Sequence, residues 1–117
     1  MARPLAVLIA IALTATAAGA AAVKWASLTN PSDKDDVPRG VCLGGQYIYI
    51  VGFDQSPGYL QWRIEMRSKD DGKVVKVWTK PTEGGLYDCV AVGGKLYVVG
   101  HARGMWAVLS LDLNLNL

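Results

Sequence analysis

Four short sequence patterns occur twice along the chain, in the same order and about 50 residues apart. A Gly-Gly pair, an apolar segment ending in Gly and two tryptophans recur at offsets of 44 to 53 residues. The pairs are Gly44-Gly45 with Gly93-Gly94, Tyr49–Gly52 with Tyr97–Gly100, Trp62 with Trp106, and Trp25 with Trp78. Self-similarity at a fixed period indicates repeated supersecondary units that stack on one another to bury a shared core.

The segments between the glycine-rich turns are typical of β-strands. Tyr47–Val51 is an uninterrupted β-branched and aromatic run, which suits a strand covered on both faces. Tyr59–Ser68 alternates instead, with Leu60, Trp62, Ile64 and Met66 on one face and Gln61, Arg63, Glu65 and Arg67 on the other. Asp71-Gly72 then forms the tip of a hairpin. No helical pattern follows residue 23, so the sequence predicts an all-β, antiparallel fold.

These patterns divide the chain into four segments. We interpret residues 1–22 as a targeting segment, and residues 23–40 as a polar linker with a short first strand at 23–26. The first β repeat then covers residues 41–88, and the second covers residues 89–117. The second repeat is incomplete, because no segment remains for its last strand.

The first 22 residues have the order of a secretory signal. Arg3 precedes the apolar run Leu5–Leu13, and small residues follow, with cleavage expected after Ala17, Ala20 or Ala22. The alternative is an uncleaved membrane anchor, since Leu5–Val23 spans 19 residues and a bilayer needs about 20. Both interpretations predict a secreted or cell-surface protein. Such a protein contacts a membrane only if residues 1–22 remain uncleaved.

The chain has two cysteines, Cys42 and Cys89. In an oxidising compartment they can form a disulfide, whereas two buried free thiols are the alternative. The sequence leaves both open. The spacing lacks the C-x-x-C pattern of zinc and dithiol sites.

The repeated unit resembles the β-propeller repeats that occur in tandem in secreted and surface proteins. Residues 45–53 (GQYIYIVGF), 62–78 (WRIEMRSKDDGKVVKVW) and 92–100 (VGGKLYVVG) carry the resemblance, which covers about residues 24–117. It implies about two antiparallel propeller-like blades after an N-terminal signal helix. A closed propeller takes at least four blades. The chain is therefore a truncated product of a longer array, a unit that completes its ring by oligomerising, or a self-standing two-unit sheet.

The C-terminal segment has one apolar face. Its leucines alternate with polar residues, at Leu109, Leu111, Leu113, Leu115 and Leu117. A terminal strand of this kind is an edge on which another chain can pair. The alternative is that the segment pairs with Cys89–Gly100 and buries its leucines within the chain.

Charge and composition exclude several functions. The 12 basic and 10 acidic residues give a net charge of +2, without the basic surface of a nucleic-acid-binding protein. Arg63 and Arg67 flank Glu65 on one strand face, which cross-strand ion pairing explains better than phosphate binding. Asp33, Asp35 and Asp36 lack the order of an EF-hand calcium loop. We therefore expect no metal and no cofactor.

The sequence also predicts no catalytic site. His101 is the only histidine, and it follows a strand as a solvated loop residue without an evident acid or base partner. A glycosidase needs two carboxylates at a defined separation. Nothing in their spacing distinguishes Asp54, Glu65, Glu83 and Asp88, the acidic residues available for that chemistry.

Together these observations predict an exported, non-catalytic β-repeat protein. It acts as a binding or structural module at the cell surface, with a protein partner or a second copy of itself. Two alternatives stay open: a self-assembling surface subunit that uses its C-terminal edge strand, and a truncated fragment of a larger propeller protein, including an enzyme.

Overall fold

A computed structural model describes residues 22–117. The predicted signal segment or anchor thus lies, except for its last residue, outside the described part of the chain. The described residues form seven strands and no helix: β1 (Val37–Gly44), β2 (Tyr47–Asp54), β3 (Gln61–Ser68), β4 (Val74–Pro81), β5 (Leu86–Val92), β6 (Lys95–Ala102) and β7 (Met105–Asp112). The predicted all-β fold is confirmed.

The seven strands form two antiparallel sheets in which neighbours in sequence are neighbours in space. The first sheet has the order β1-β2-β3-β4, and the second has the order β5-β6-β7. The second sheet thus has three strands where the first has four. Two open sheets of this kind do not close a ring within residues 22–117.

The turns follow the sequence signals. Gly93 and Gly94 form a two-residue loop between β5 and β6, with φ values of 59° and 75°. Positive φ at both positions is the geometry of a type I′ turn, which matches the twist of the flanking strands and favours glycine. Gly45 begins the equivalent loop between β1 and β2, with a φ of 58°. The hairpin predicted around Asp71-Gly72 joins β3 to β4.

The start of the first sheet differs from the prediction. β1 begins at Val37 rather than residue 41, and the chain from residue 22 to 36 contains no strand, so the short strand expected at 23–26 is absent. Pro38 lies in the range interpreted above as a linker, and a proline cannot donate a ladder hydrogen bond. It is accommodated because β1 is an edge strand and has a bulge between Pro38 and Gly40.

The two sheets share the same strand register. In the first sheet, Pro38 and Gly40 flank a bulge opposite Gly52 and Val51. In the second sheet, the bulge lies between Leu86 and Asp88, opposite Gly100 and Val99. Each of these four residues lies 48 positions after its counterpart in the first sheet. Likewise, Trp62 on β3 pairs with Phe53, and Trp106 on β7 pairs with His101.

The core lies where one face of each sheet meets the other, and we call these the packed faces. Buried residues of the first sheet's packed face include Tyr49, Val51 and Ile64, and those of the second include Leu96 and Val98. Hydrogen bonds also cross the boundary: among them, the Tyr49 hydroxyl donates to the Leu113 carbonyl at 2.6 Å, and the Trp62 indole donates to the His101 carbonyl at 2.8 Å. The opposite faces are called the outer faces.

Candidate functional site

Cys42 and Cys89 form a disulfide that links β1 to β5, and therefore the first sheet to the second. Their Cα atoms are 5.9 Å apart. The alternative of two free thiols is not what the structure has. A disulfide in a domain of this size is compatible with an oxidising, extracellular environment.

The charged face of β3 is buried, although its alternation suggested exposure to solvent. Arg63, Glu65 and Arg67 follow one another along its outer face, and we call them with Asp54 the ion-pair ladder. Arg63 Nη2 lies 2.8 Å from Glu65 Oε2, and Arg67 Nη2 lies 2.7 Å from Glu65 Oε1. Arg63 Nη1 also lies 3.0 Å from Asp54 Oδ2. The pairing thus runs mainly along one strand and reaches β2 only at Asp54.

Residues 22–36, which precede β1 and which we call the N-terminal segment, cover this ladder. The Trp25 indole donates to the Lys69 carbonyl, which places the start of the segment beside the β3–β4 turn. Arg67 Nη1 donates to the Ser27 hydroxyl at 3.0 Å and to the Gly72 carbonyl at 2.9 Å. At the other end, the Ser56 hydroxyl donates to the Pro31 carbonyl. A cavity of about 300 Å³ remains between the segment and the outer face.

The ladder neutralises its own charges. Burial raises the pKa of Glu65, but the hydrogen bonds from Arg67 and Arg63 lower it by more, so the pKa lies below its ordinary value. Burial likewise raises the pKa of Asp54, and hydrogen bonds from Ser56, Gln61 and Arg63 outweigh it. Both groups are therefore carboxylates at neutral pH, each held by a cation. A general acid would need the opposite shift.

These shifts predict how stability depends on pH. A carboxyl whose pKa is lower in the folded chain contributes stability above its unfolded pKa, about 4, and that contribution disappears as the pH falls further. We expect a thermal midpoint that is nearly constant from pH 7 to 5 and falls steeply below pH 4. Circular dichroism melts at each pH measure it. A Glu65→Gln variant should show a shallower fall, and an unchanged midpoint down to pH 3 would contradict the ladder's role.

The other acidic residues considered for chemistry are dispersed. Glu83 pairs with Arg103 on the surface at 3.0 Å, and the Asp88 carboxylate accepts a hydrogen bond from the Cys89 backbone amide. Asp36 accepts hydrogen bonds from Ser32, so it shapes the loop that precedes β1. Among residues 22–117, no three His, Cys, Asp or Glu side chains are grouped to hold a metal ion.

His101 lies within β6 and not in the loop expected for it. Its ring stacks on Tyr87, with centroids 5.1 Å apart and an angle of 15° between the planes. The Arg39 guanidinium also lies over the Tyr87 ring, 5.0 Å from its centroid, and it lies 5.5 Å from the Phe53 centroid. The histidine thus belongs to a cluster of aromatic and cationic side chains contributed by both sheets.

The outer face of the second sheet is apolar and exposed. Trp106 is 96% exposed and Val108 is 74% exposed. The other large apolar members of this face are Val90, Val92, Tyr97 and Val99. An open groove of about 540 Å³ runs beside Trp106 and is lined also by Tyr87, Val99, His101 and Val108. Exposed apolar patches of this kind mark interaction sites.

The leucine-rich tail differs from the predicted edge strand. β7 ends at Asp112, so Leu109 and Leu111 lie on it whereas Leu113, Leu115 and Leu117 follow it. The Asp112 carboxylate accepts hydrogen bonds from the backbone amides of Asn114 and Asn116, which turns the chain back. Leu111 and Leu115 are buried and Leu117 is exposed. The tail therefore closes the core of its own chain, and a continuous apolar edge from 109 to 117 does not form.

Sequence reasoning missed the outer face of the second sheet as a site. The alternation along these strands carried the signal, because one face of the sheet presents Val90, Tyr97, Val99, Trp106 and Val108.

No helix in the described residues is long and apolar enough to cross a bilayer. Comparison with known protein families, with curated proteins and with solved structures gives no match to this chain.

Proposed function

We propose that this chain is an exported, non-catalytic, β-propeller-like repeat protein that serves as a binding or structural module at the cell surface. In this proposal, the outer face of the second sheet is the binding surface. Its partner is a protein, because the face is a broad, open sheet surface of apolar side chains rather than a deep pocket for a small molecule.

The observation that carries the proposal is the exposure of this face. Trp106 occupies the register position of Trp62, yet Trp62 is 7% exposed and Trp106 is 96% exposed. Val108 likewise occupies the position of Ile64, which is fully buried. The outer face of the second sheet thus has the same kinds of side chain as the packed face of the first sheet, which the second sheet covers. An exposed tryptophan surrounded by apolar residues is a frequent centre of a protein interface.

Further observations support the remaining parts of the proposal. The shared register and bulge of the two sheets support two repeated blade-like units. The disulfide supports export. The engagement of Asp54, Glu65 and Glu83 in ion pairs supports a role other than acid–base chemistry.

Replacing Trp106 with Ser and Val108 with Thr tests the binding surface. In cells that export the chain, we expect the wild type to stay at the cell surface and the double variant to be released into the medium. Losing a buried tryptophan at an interface costs about 2 kcal/mol or more, so surface retention should fall at least about tenfold. Immunoblots of intact cells and medium measure the ratio.

The matched control is Val75→Thr, which changes an exposed valine on β4, at the far edge of the first sheet. It should leave retention unchanged, and circular dichroism should show all three proteins folded. N-terminal sequencing of the exported chain should give a start after Ala17, Ala20 or Ala22. Retention of the double variant at the wild-type level, or an intact chain in the cytoplasm, would refute the proposal.

A further inference from the structure

The packing of the two sheets on each other defines an interface that the chain can repeat. Within the chain, the packed face of β1 lies against the packed face of β5, and the Cys42–Cys89 bond joins them. Gly40 and Gly44 make the approach close: a Cβ at Gly40 would lie 2.9 Å from the Asp88 Cα, and one at Gly44 would lie 3.4 Å from the Ala91 Cβ.

Each half of this interface has a counterpart on an outer face. Cys42 pairs with Tyr49 in the first sheet, and Val90 pairs with the equivalent Tyr97 in the second. Val90 therefore occupies the position of Cys42, on the outer face of the second sheet. By the same register, Val41 pairs with Ile50 as Cys89 pairs with Val98. Val41 therefore occupies the position of Cys89, on the outer face of the first sheet.

Both counterparts are open to solvent. Val90 is 54% exposed and Val41 is 61% exposed. Their neighbours on the same strands, Val92 and Leu43, are 58% and 62% exposed. The N-terminal segment contacts β3 and the β3–β4 turn through Ser27 and Trp25. Val41 and Leu43 of β1 remain exposed beside it.

We infer that the partner on the outer face of the second sheet is a second copy of this chain. The outer face of that copy's β1 packs against the outer face of β5, so that β5 takes the place that β1 has within one chain and the second copy's β1 takes the place of β5. This inference rests on the binding role proposed above and names its partner. In this arrangement, Val90 of one copy faces Val41 of the next. A second copy fits because its Val41 and Leu43 occupy, in the same register, the positions of Cys89 and Ala91, which pack against β1 within one chain. The approach between copies is wider, because Asp88 and Val92 stand where β1 has Gly40 and Gly44.

The two surfaces lie on different sheets, so the contact is head-to-tail. A contact of this type gives a closed ring when the rotation between copies closes, and a filament when it does not. In either product each copy uses one β1 surface and one β5 surface. This differs from a two-fold dimer, in which the same face would meet itself.

A cross-linking experiment distinguishes these arrangements. Val41→Cys and Val90→Cys are made separately in the mature chain, and the two proteins are mixed in a glutathione redox buffer. We expect a disulfide between position 41 of one chain and position 90 of the other, because these positions correspond to Cys89 and Cys42, whose Cα atoms are 5.9 Å apart, and a disulfide forms up to a Cα separation of about 6.8 Å. Peptide mapping identifies the linked pair and checks that the native bond is intact.

The matched control replaces Val41→Cys with Val75→Cys, on the strand of the first sheet farthest from β1. Its mixture with Val90→Cys should yield at least about tenfold less cross-linked product. Dominant linkage between two copies of Val90→Cys would overturn the inference in favour of a face-to-face dimer. Equal linkage in the control mixture would overturn it in favour of random collision.

Light scattering supplies a second measurement without added thiols. The wild type should show a mass above that of one chain that rises with concentration or reaches a fixed multiple. Val41→Glu and Val90→Glu should each be monomeric at a tenfold higher concentration. An equal mixture should form dimers, because one intact β1 surface and one intact β5 surface remain. A wild type that is monomeric at all concentrations, yet loses cell-surface retention when Trp106 is replaced, would overturn self-association and leave the binding role standing.

Discussion

Replacing Glu65 with Leu is expected to lower the free energy of unfolding by about 3–5 kcal/mol, the usual effect of removing one partner from a buried ionic group. Glu65 lies between Arg63 and Arg67. Without it the Arg67 guanidinium keeps only neutral partners, at Ser27, Thr29 and Gly72. The Arg67 side chain is 6% exposed, so bulk water solvates the unpaired guanidinium poorly. Urea denaturation followed by tryptophan fluorescence measures the change.

The second sheet provides the control for this experiment. By register, Leu109 and Leu111 occupy the positions of Glu65 and Arg67. A double variant, Glu65→Leu with Arg67→Leu, removes both charges and leaves Arg63 paired with Asp54. Because apolar replacement of a whole buried pair is often neutral, it should recover most of the loss. A single variant that loses less than about 1 kcal/mol would show that the ladder is open to water.

Removing the disulfide is expected to cost about 3–4 kcal/mol in the chain-entropy account, for cysteines 47 residues apart. The variant is Cys42→Ala with Cys89→Ala, which leaves the two sheets joined by packing and by the hydrogen bonds from Tyr49 and Trp62. We expect the urea midpoint to fall and the unfolding of the two sheets to become less cooperative. A domain of this size has about 5–15 kcal/mol in total, so the loss is a large fraction of it.

Reduction of the wild type is the internal control. Dithiothreitol should lower the wild-type midpoint to that of the double alanine variant and leave the variant unchanged. Equal midpoints with and without reductant would mean that the bond does not stabilise the folded chain.

The strands and turns could be predicted because their signals are local. Alternation in Tyr59–Ser68 and the positive-φ glycines at 93 and 94 depend on neighbouring residues alone. The predicted bounds of the strands were less accurate where a tertiary feature changed the start or the end of a strand. Pro38 enters β1 because the strand lies at an edge and has a bulge. Leu113 leaves the predicted strand because Asp112 turns the chain back.

The burial of the ion-pair ladder was not predictable from β3. An alternating strand with Arg63, Glu65 and Arg67 on one face is typical of a surface exposed to water. What buries it is the N-terminal segment, whose Trp25 and Ser27 precede the ladder by about 40 residues. The sequence of that segment is polar and irregular, and no period in it indicates where it packs.

The amino-acid sequence alone determined the all-β fold and the tight turns, because hydrophobic period and turn chemistry act over a few residues. Only the tertiary structure decided which of two similar apolar faces is covered. Trp62 and Trp106 have the same local pattern and the same strand position, yet one is buried against the second sheet and the other faces solvent. Burial depends on a neighbouring sheet, and the first sheet has one on that side where the second, in the described chain, does not.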